Sequence, residues 1–390
     1  MSQFKKTLLF IHRWLGFISG LVVVIVSITG CLFVFQDEIQ DVLYADYRTV
    51  EPQNKPYILP SQLTTVALKK YPTATTTYYG YYGEDRPAVV GLDIPKVGTR
   101  YLYINPYSGQ ILFSQDITKN FFIIVEYIHL YLLLPAEIGR MIVGVSVIIF
   151  VIIMITGIIL WWPKRKSDRK RSFTIKWAGR WRRVNYDLHN VLGFYASSIA
   201  IVLAITGLAI AFEWMNKGIY KAANLGKSYA HELEEPKSDS TKKHLAIINP
   251  MDKAFKYVKT NSPQAHMFFL HTDDKVQGHP ITAYAYYKSM HYYQSDIYDF
   301  DKYNAKLMRF LPHQNKSAGL KMNAMTYDIH VGQILGLPGK IIAFLASLIC
   351  ASLPITGFII WLGRRKKTKA KQIKEVVHHR RTHKQLVTKS

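Results

Sequence analysis

The stretch IHRWLGFISGLVVVIVSITGCLFVF, residues 11–35, decides what kind of protein this chain is. After Arg13 it carries no charged residue before Asp37. An apolar run of about 20 residues is long enough to cross a bilayer as a helix, and a helix satisfies its own backbone hydrogen bonds in lipid. The stretch therefore predicts a membrane span.

Three more stretches of the 390-residue chain have the same composition. They contain no charged residue and cover Met141–Trp162, Val191–Phe212 and Ile341–Leu362. Together the four stretches predict a mainly α membrane protein whose fold is a bundle of four transmembrane helices.

The net charge of +24 is concentrated beside these stretches. Lys and Arg precede the first span, fill residues 164–183 and recur after Gly363. Cytoplasmic segments of membrane proteins carry such an excess of cations, which face anionic lipid headgroups. The pattern predicts a multi-pass membrane protein with both termini in the cytoplasm, and it argues against a nucleic-acid partner.

Short repeats link the four spans. The tripeptide ITG occurs at residues 28–30, 155–157, 205–207 and 355–357. His12 and His189 each lie 18 residues before the glycine of an ITG, whereas His129 and His330 lie 28 and 27 residues before one. This spacing predicts a duplicated two-helix unit with one histidine for each helix.

Two long polar segments, residues 38–118 and 215–322, are each predicted to form an extracytoplasmic α+β domain. Helical spacing over Pro60–Tyr71, with Ser61 as a cap, and over Met251–Thr260 precedes alternating stretches that break at Gly and Pro. The predicted organisation runs as follows: N-terminus and first span 1–37, first outer domain 38–118, short helix and second span 119–163, basic loop 164–184, third span 185–214, second outer domain 215–322, short helix and fourth span 323–362, and basic tail 363–390.

Several of these sequences resemble the family of PepSY-associated transmembrane-helix proteins. The resemblance rests on HRWLGF (12–17), LHNVLGF (188–194), LPAEIGR (134–140) and LPGK (337–340), and on a tryptophan after two ITG repeats. The segment YLYINPYSGQIL (101–112) is similar to a PepSY module. Membership implies four spans, two PepSY-like outer domains and, in some relatives, two b haems that reduce ferric siderophores.

The pair His12 and His189 is predicted to supply the axial ligands of one haem iron. Gly16 and Gly193 follow four residues later on the same helix faces and would leave a flat strip for a porphyrin. Three arginines nearby could pair with haem propionates, namely Arg13, Arg182 and Arg183. No CxxCH sequence occurs, so the haem would be b-type. The alternative is a pair of interfacial histidines that are hydrogen-bonded to their neighbours.

The pair His129 and His330 is predicted to bind a second haem iron nearer the outer surface. A straight helix from His129 to Pro163 would rise about 50 Å, more than the hydrocarbon core of about 30 Å. We therefore expect a short helix, a break and then the span after each histidine. The break would lie at Pro135 and Gly139 after His129, and at Pro338 and Gly339 after His330. Two cations in equivalent positions are predicted to pair with propionates, namely Arg140 and Lys340. Polar histidines at an aqueous interface are the alternative here.

These features predict an inner-membrane di-haem electron-transfer protein that reduces a periplasmic ferric siderophore, or another ferric chelate, and releases Fe(II). The sequence contains no nucleotide fingerprint, so the donor would be an external cytoplasmic reductant or a quinol. Membrane lipids are the other expected partners, and no catalytic residue is assigned. Two alternatives stay open: a haem b conduit to another periplasmic acceptor or quinone, and a non-enzymatic, membrane-anchored PepSY-type binding or regulatory protein.

Overall fold

The computed structural model describes residues 2–163, 165–241, 247–273 and 275–387, without the side chains of residues 366–387. Within these residues, four helices are long and apolar enough to cross a membrane: Gln3–Val34, Ala136–Trp161, Trp181–Ala211 and Gln333–Arg365. The four predicted spans therefore correspond to four apolar helices of membrane-spanning length.

The elements alternate between these long helices and two strand-rich regions. The α-helices are α1 (Gln3–Val34), α2 (Gln36–Leu43), α3 (Ala45–Arg48), α4 (Pro60–Lys70), α5 (Phe121–Tyr131), α6 (Ala136–Trp161), α7 (Arg169–Phe173), α8 (Trp181–Asp187), α9 (Gly193–Ala211), α10 (Glu213–Ala223), α11 (Ala230–Leu233), α12 (Pro250–Asn261), α13 (Ala318–His330) and α14 (Gly336–Val387). The strands are β1 (Thr75–Tyr81), β2 (Ala88–Ile94), β3 (Gly98–Ile104), β4 (Ile111–Asp116), β5 (Met267–His271), β6 (Ile281–Tyr286), β7 (Ser295–Phe300) and β8 (Leu307–Leu311).

The chain divides into two compact units. The first unit contains residues 1–31, 128–204 and 342–390, and the second contains residues 32–127 and 205–341.

The first unit is a helix bundle packed through small and aliphatic side chains. Ala196, Ala200 and Ala204 of α9 lie one turn apart and are all buried. Small residues let helix backbones approach closely where lipid removes the hydrophobic drive for association. A buried cluster joins residues of α6, α9 and α14 with Leu15 of α1 against it. The free cysteines Cys31 and Cys350 are also buried.

A short helix and a break precede both the second and the fourth span, as the sequence predicts. The predicted position of the first break is wrong in part, because Pro135 is the N-cap of α6 and Gly139 lies inside this helix. The first break lies between α5 and α6, where Leu132 and Leu133 have φ values of 56° and 58°. Left-handed backbone at two adjacent leucines is uncommon and interrupts the helix there.

The predicted position of the second break is wrong by a few residues. Gly332 and Gly336 have φ values of 75° and 65°, so the chain turns there, between α13 and α14. Pro338 and Gly339 lie inside the first turns of α14. A proline is tolerated in a first helical turn, because its missing N–H has no intrahelical acceptor there.

The second unit is built on one antiparallel sheet of eight strands in the order β4-β3-β2-β1-β5-β6-β7-β8. The sequence predicts two separate outer domains, but β1 pairs with β5, with Tyr79 opposite Leu270. Both strands are rich in aromatic and aliphatic residues, so pairing them satisfies their backbone groups and buries their side chains. The two predicted domains are therefore two halves of one sheet.

Helices α4 and α12 cover one face of this sheet. Tyr81 of β1 and Phe255 of α12 are buried and stack with ring centroids 4.4 Å apart. Ser61 does not cap α4, because Leu59 occupies the N-cap position. Instead, the N–H and the hydroxyl of Ser61 donate to Asp252 of α12, at 2.8 and 2.5 Å. A carboxylate thus joins the two helices.

We expect Asp252→Ala to destabilise the second unit by about 1–3 kcal/mol, because two donors of α4 lose a buried acceptor. Thermal unfolding of the purified protein measures the effect. Asp46→Ala is the matched control, since Asp46 also lies in the first turn of a helix but is exposed. Equal melting temperatures for the two variants would contradict the expectation.

Candidate functional site

A cavity of about 470 Å³ lies among the apolar helices of the first unit. Cofactor and small-molecule sites are usually clefts of about 300–1,000 Å³ with apolar walls and a few polar groups. Five of the residues predicted for the first haem line it, namely His12, Arg13, Gly16, His189 and Gly193, whereas Arg182 and Arg183 do not. The cavity thus brings together residues that are far apart in sequence.

His12 of α1 and His189 face each other across this cavity. Their ring centroids are 6.3 Å apart and their planes are inclined at 89°. An imidazole nitrogen lies about 2.0–2.1 Å from a bound metal ion, and the ring centre lies about 1 Å further back. Two imidazoles on opposite sides of one metal ion would therefore have centroids roughly 6 Å apart. The observed separation suits a shared metal.

The imidazole of His189 is oriented by α14. Its Nδ1 lies 3.0 Å from Thr356 Oγ1 and 3.1 Å from the carbonyl oxygen of Leu353. A carbonyl oxygen only accepts, so Nδ1 carries the proton of the neutral ring and Nε2 keeps its lone pair. Metal-binding histidines are commonly oriented by such a hydrogen bond on the other nitrogen.

His12 is held in the same way by α6. Its Nδ1 lies 3.1 Å from Thr156 Oγ1. A Cβ atom on Gly157, the next residue, would lie 3.2 Å from His12 Cε1, so glycine lets the ring pack against the helix backbone. Among the described residues, neither His12 nor His189 uses Nε2 in a hydrogen bond. That nitrogen is the one available for a ligand.

A π-helical turn, Leu188–Leu192, contains His189 and joins α8 to α9. Such single wide turns are uncommon and occur frequently at functional sites. The apolar spacing of LHNVLGF gives no signal for it, because the sequence is compatible with an uninterrupted α-helix.

Open space and arginine side chains lie beside the paired histidines in the cavity. A Cβ atom on Gly16 would have no atom within 4 Å, so the strip beside His12 is open. Arg13 Nε is buried and has no hydrogen-bond partner among the described residues. Arg364 and Arg365 also line the cavity, and sequence reasoning missed them. The only signal for them was their position directly after the fourth apolar stretch.

His129 belongs to the first unit and is oriented by α1. Its Nδ1 lies 3.1 Å from Thr29 Oγ1 and 3.0 Å from the carbonyl oxygen of Val26. Arg140 is exposed, and its guanidinium lies 5.7 Å from the ring centroid of Tyr131. Neither residue lines the cavity of His12 and His189.

His330 belongs to the second unit, and its Nδ1 lies 3.0 Å from Thr206 Oγ1. Lys340 is buried and its Nζ lies 2.7 Å from Glu38 Oε1. Burial of an ammonium group is costly without a counter-charge, which Glu38 supplies. Lys340 therefore differs from the exposed Arg140, although the sequence predicts equivalent roles for them.

A second cavity, of about 220 Å³, lies in the second unit on the sheet face that carries Tyr78, Tyr101 and Tyr103. Burial raises the pKa of Tyr103 to about 12. Burial also raises the pKa of Tyr82 and Tyr292 in the same wall. These hydroxyls stay protonated at neutral pH and can donate hydrogen bonds.

This cavity is adjacent to the helix that carries His330. The ring of Tyr292 lies 5.4 Å, centroid to centroid, from that of Tyr327. Tyr327 precedes His330 by one helical turn in α13. No group of three or more His, Cys, Asp or Glu side chains that could hold a metal ion occurs in the part of the chain that the structure describes.

The four long apolar helices identify a multi-pass membrane protein. The chain belongs to the family described as PepSY-associated TM region, whose model matches residues 9–364. This confirms the resemblance seen in the sequence. The comparison with curated proteins found no match to the chain.

Proposed function

We propose that this protein is a di-haem b-type electron carrier of the bacterial inner membrane that reduces a ferric chelate outside the cytoplasm. The observation that carries the proposal is the pair His12 and His189, whose rings face each other 6.3 Å apart across a cavity of cofactor size.

The donor set suits haem better than a protein-only metal site. Two imidazoles leave most coordination positions of a metal ion unfilled, and a porphyrin supplies four coplanar nitrogens. The open strip at Gly16 gives room for a flat ring, and Arg13 and Arg365 at the cavity wall suit its propionates. Haem bound by two histidines supplies reversible one-electron transfer, since no iron position remains for small ligands.

The same local setting supports a haem-binding role for His129 and for His330. Each presents its Nδ1 to the threonine of an ITG sequence, as His12 and His189 do. This fourfold pattern also favours the duplication of a two-helix unit, because one contact recurs with each histidine. The proposal for the second haem rests on this similarity and on the sequence spacing.

The charge pattern sets the proposed direction of electron flow. Cations near the His12 end indicate the cytoplasmic side, so electrons from a cytoplasmic reductant or quinol would enter there. The sheet unit would then face the periplasm, where the tyrosine-lined cavity beside Tyr327 offers hydroxyl donors to the oxygen atoms of a chelate. Reduction to Fe(II) weakens binding by hard oxygen ligands and releases the iron.

Two other functions compete with this proposal. The same carrier could deliver electrons to another periplasmic acceptor or exchange them with quinone. Alternatively, the sheet unit could act as a membrane-anchored PepSY-type binding or regulatory module without redox chemistry.

Spectroscopy of the purified full-length protein, expressed with ample haem supply, separates these functions. We expect a b-type Soret band and two haems per chain. Dithionite-reduced protein, freed of excess reductant, should be reoxidised by a ferric trihydroxamate faster than by a water-soluble quinone. Absence of haem would favour the binding module, and faster reoxidation by the quinone would favour the alternative acceptor.

A further inference from the structure

We infer that the threonine of each ITG sequence is a positioning residue that orients one imidazole and fixes its protonated nitrogen. The functional consequence of this inference rests on the proposed function, because Nε2 of each oriented ring is the nitrogen that would bind iron. The hydrogen bonds themselves are features of the chain.

One contact recurs four times. In each case a threonine Oγ1 lies within hydrogen-bonding distance of a histidine Nδ1 on another helix. The pairs are Thr156 and His12 at 3.1 Å, Thr29 and His129 at 3.1 Å, Thr356 and His189 at 3.0 Å, and Thr206 and His330 at 3.0 Å. Two of these pairs lie more than 140 residues apart in sequence, at separations of 144 and 167.

The contacts of the threonine hydroxyl within its own helix show which atom donates the hydrogen bond. Thr356 Oγ1 lies 2.9 Å from the carbonyl oxygen of Ser352, one turn earlier in its own helix. Thr29 Oγ1 lies 2.8 Å from the carbonyl oxygen of Ile25 in the same arrangement. The single hydroxyl hydrogen is thus used within the helix, and the lone pairs of Oγ1 accept from the imidazole Nδ1–H.

The carbonyl oxygens reinforce this assignment. Leu353 O and Val26 O, three residues before their threonines, lie 3.1 and 3.0 Å from the Nδ1 atoms of His189 and His129. Each Nδ1–H therefore meets two acceptors, a hydroxyl and a carbonyl. A ring flipped about its bond to Cβ would lose both, so the Nδ1-protonated tautomer is fixed.

The glycine of ITG completes the positioning. A Cβ atom on Gly357 would lie 3.1 Å from His189 Cε1, and one on Gly207 would lie 2.9 Å from His330 Cε1. Only glycine lets the ring approach the neighbouring threonine without displacement. The tripeptide is therefore one functional unit, in which threonine accepts the hydrogen bond from Nδ1–H and glycine leaves space for the ring.

The consequence is a stronger Nε2 donor. A hydrogen bond from Nδ1–H to oxygen raises the basicity of a metal-bound imidazole and fixes its ring plane, and loss of such a partner usually lowers metal affinity about 10–100-fold. A more basic ligand stabilises Fe(III) relative to Fe(II). Removing the hydroxyl should therefore raise the midpoint potential of the haem held by that histidine.

The test compares Thr356→Val, which keeps the shape, with Thr356→Ser, which keeps the hydroxyl. Potentiometric titration and electron paramagnetic resonance of the oxidised protein follow the haem at His189. We expect a higher potential and altered g values for one haem in Thr356→Val, and parental values in Thr356→Ser. Thr65→Val is the control, because the hydroxyl of Thr65 bonds only its own helix, to Ser61 O at 2.9 Å.

A second measurement separates failure of the inference from failure of the proposed function. Nitrogen-15 NMR of histidine-labelled protein, prepared without haem, reports the tautomer directly. The parent should show His12 and His189 protonated at Nδ1, whether or not haem ever binds. Protonation at Nε2 in the parent, or unchanged potential and g values in Thr356→Val, would overturn the inference.

Discussion

His189→Ala is expected to remove one of two haems from each chain, so the ratio of haem to protein falls by about half. His189 supplies one of the two imidazoles that face each other across the cavity of the first unit. A haem bound there would keep only one protein ligand without His189 and would be held weakly. Pyridine haemochrome assay against protein concentration measures the ratio, and the Soret band should change in parallel.

His266→Ala is the matched control, because His266 is exposed in the second unit and belongs to neither pair. Its haem content should equal that of the parent. His12→Ala should reproduce the loss seen in His189→Ala, and the double variant should lose no more haem than either single variant. A full complement of haem in His189→Ala would exclude this ligand assignment.

Gly16→Phe is expected to abolish the same haem while both histidines remain. Gly16 lines the cavity and a Cβ atom there meets nothing within 4 Å, so a phenyl ring would occupy space rather than displace the helices. The binding energy of a flat cofactor depends on filling that volume. Haem content and melting temperature together measure the effect, and the melting temperature of the haem-free protein should change little.

Gly218→Phe controls for the added ring. Gly218 of α10 also has open space at its Cβ position, but it is exposed and lies outside the cavity. Haem content should be unchanged in this variant. Normal haem content in Gly16→Phe would show that the cavity beside His12 does not take the porphyrin.

The spans and the histidines could be predicted from sequence because their signals are local. Uncharged stretches of about 20 residues identify membrane helices without knowledge of their neighbours. The matching of His12 with His189 came from a repeated spacing, and the structure places both on one cavity. The break before the second span followed from the excess length of a straight helix.

The remaining features depend on contacts between distant residues. The partners of His12 and His189 are Thr156 and Thr356, and no periodicity connects residues at such separations. Ser61 looked like a helix cap because its neighbours suit one, yet Asp252 competes successfully for its hydroxyl. The pairing of β1 with β5 could not be predicted from the sequence either, because neither strand has a feature that distinguishes it from the other strands of its own segment.

The central position of β1 and β5 has a consequence for biogenesis. Residues 78–81 meet residues 268–271 only after both intervening apolar helices, α6 and α9, have been synthesised. Until then β1 is an unprotected strand edge, and such edges recruit foreign strands. A chain truncated before β5 should therefore aggregate rather than persist as a smaller folded protein.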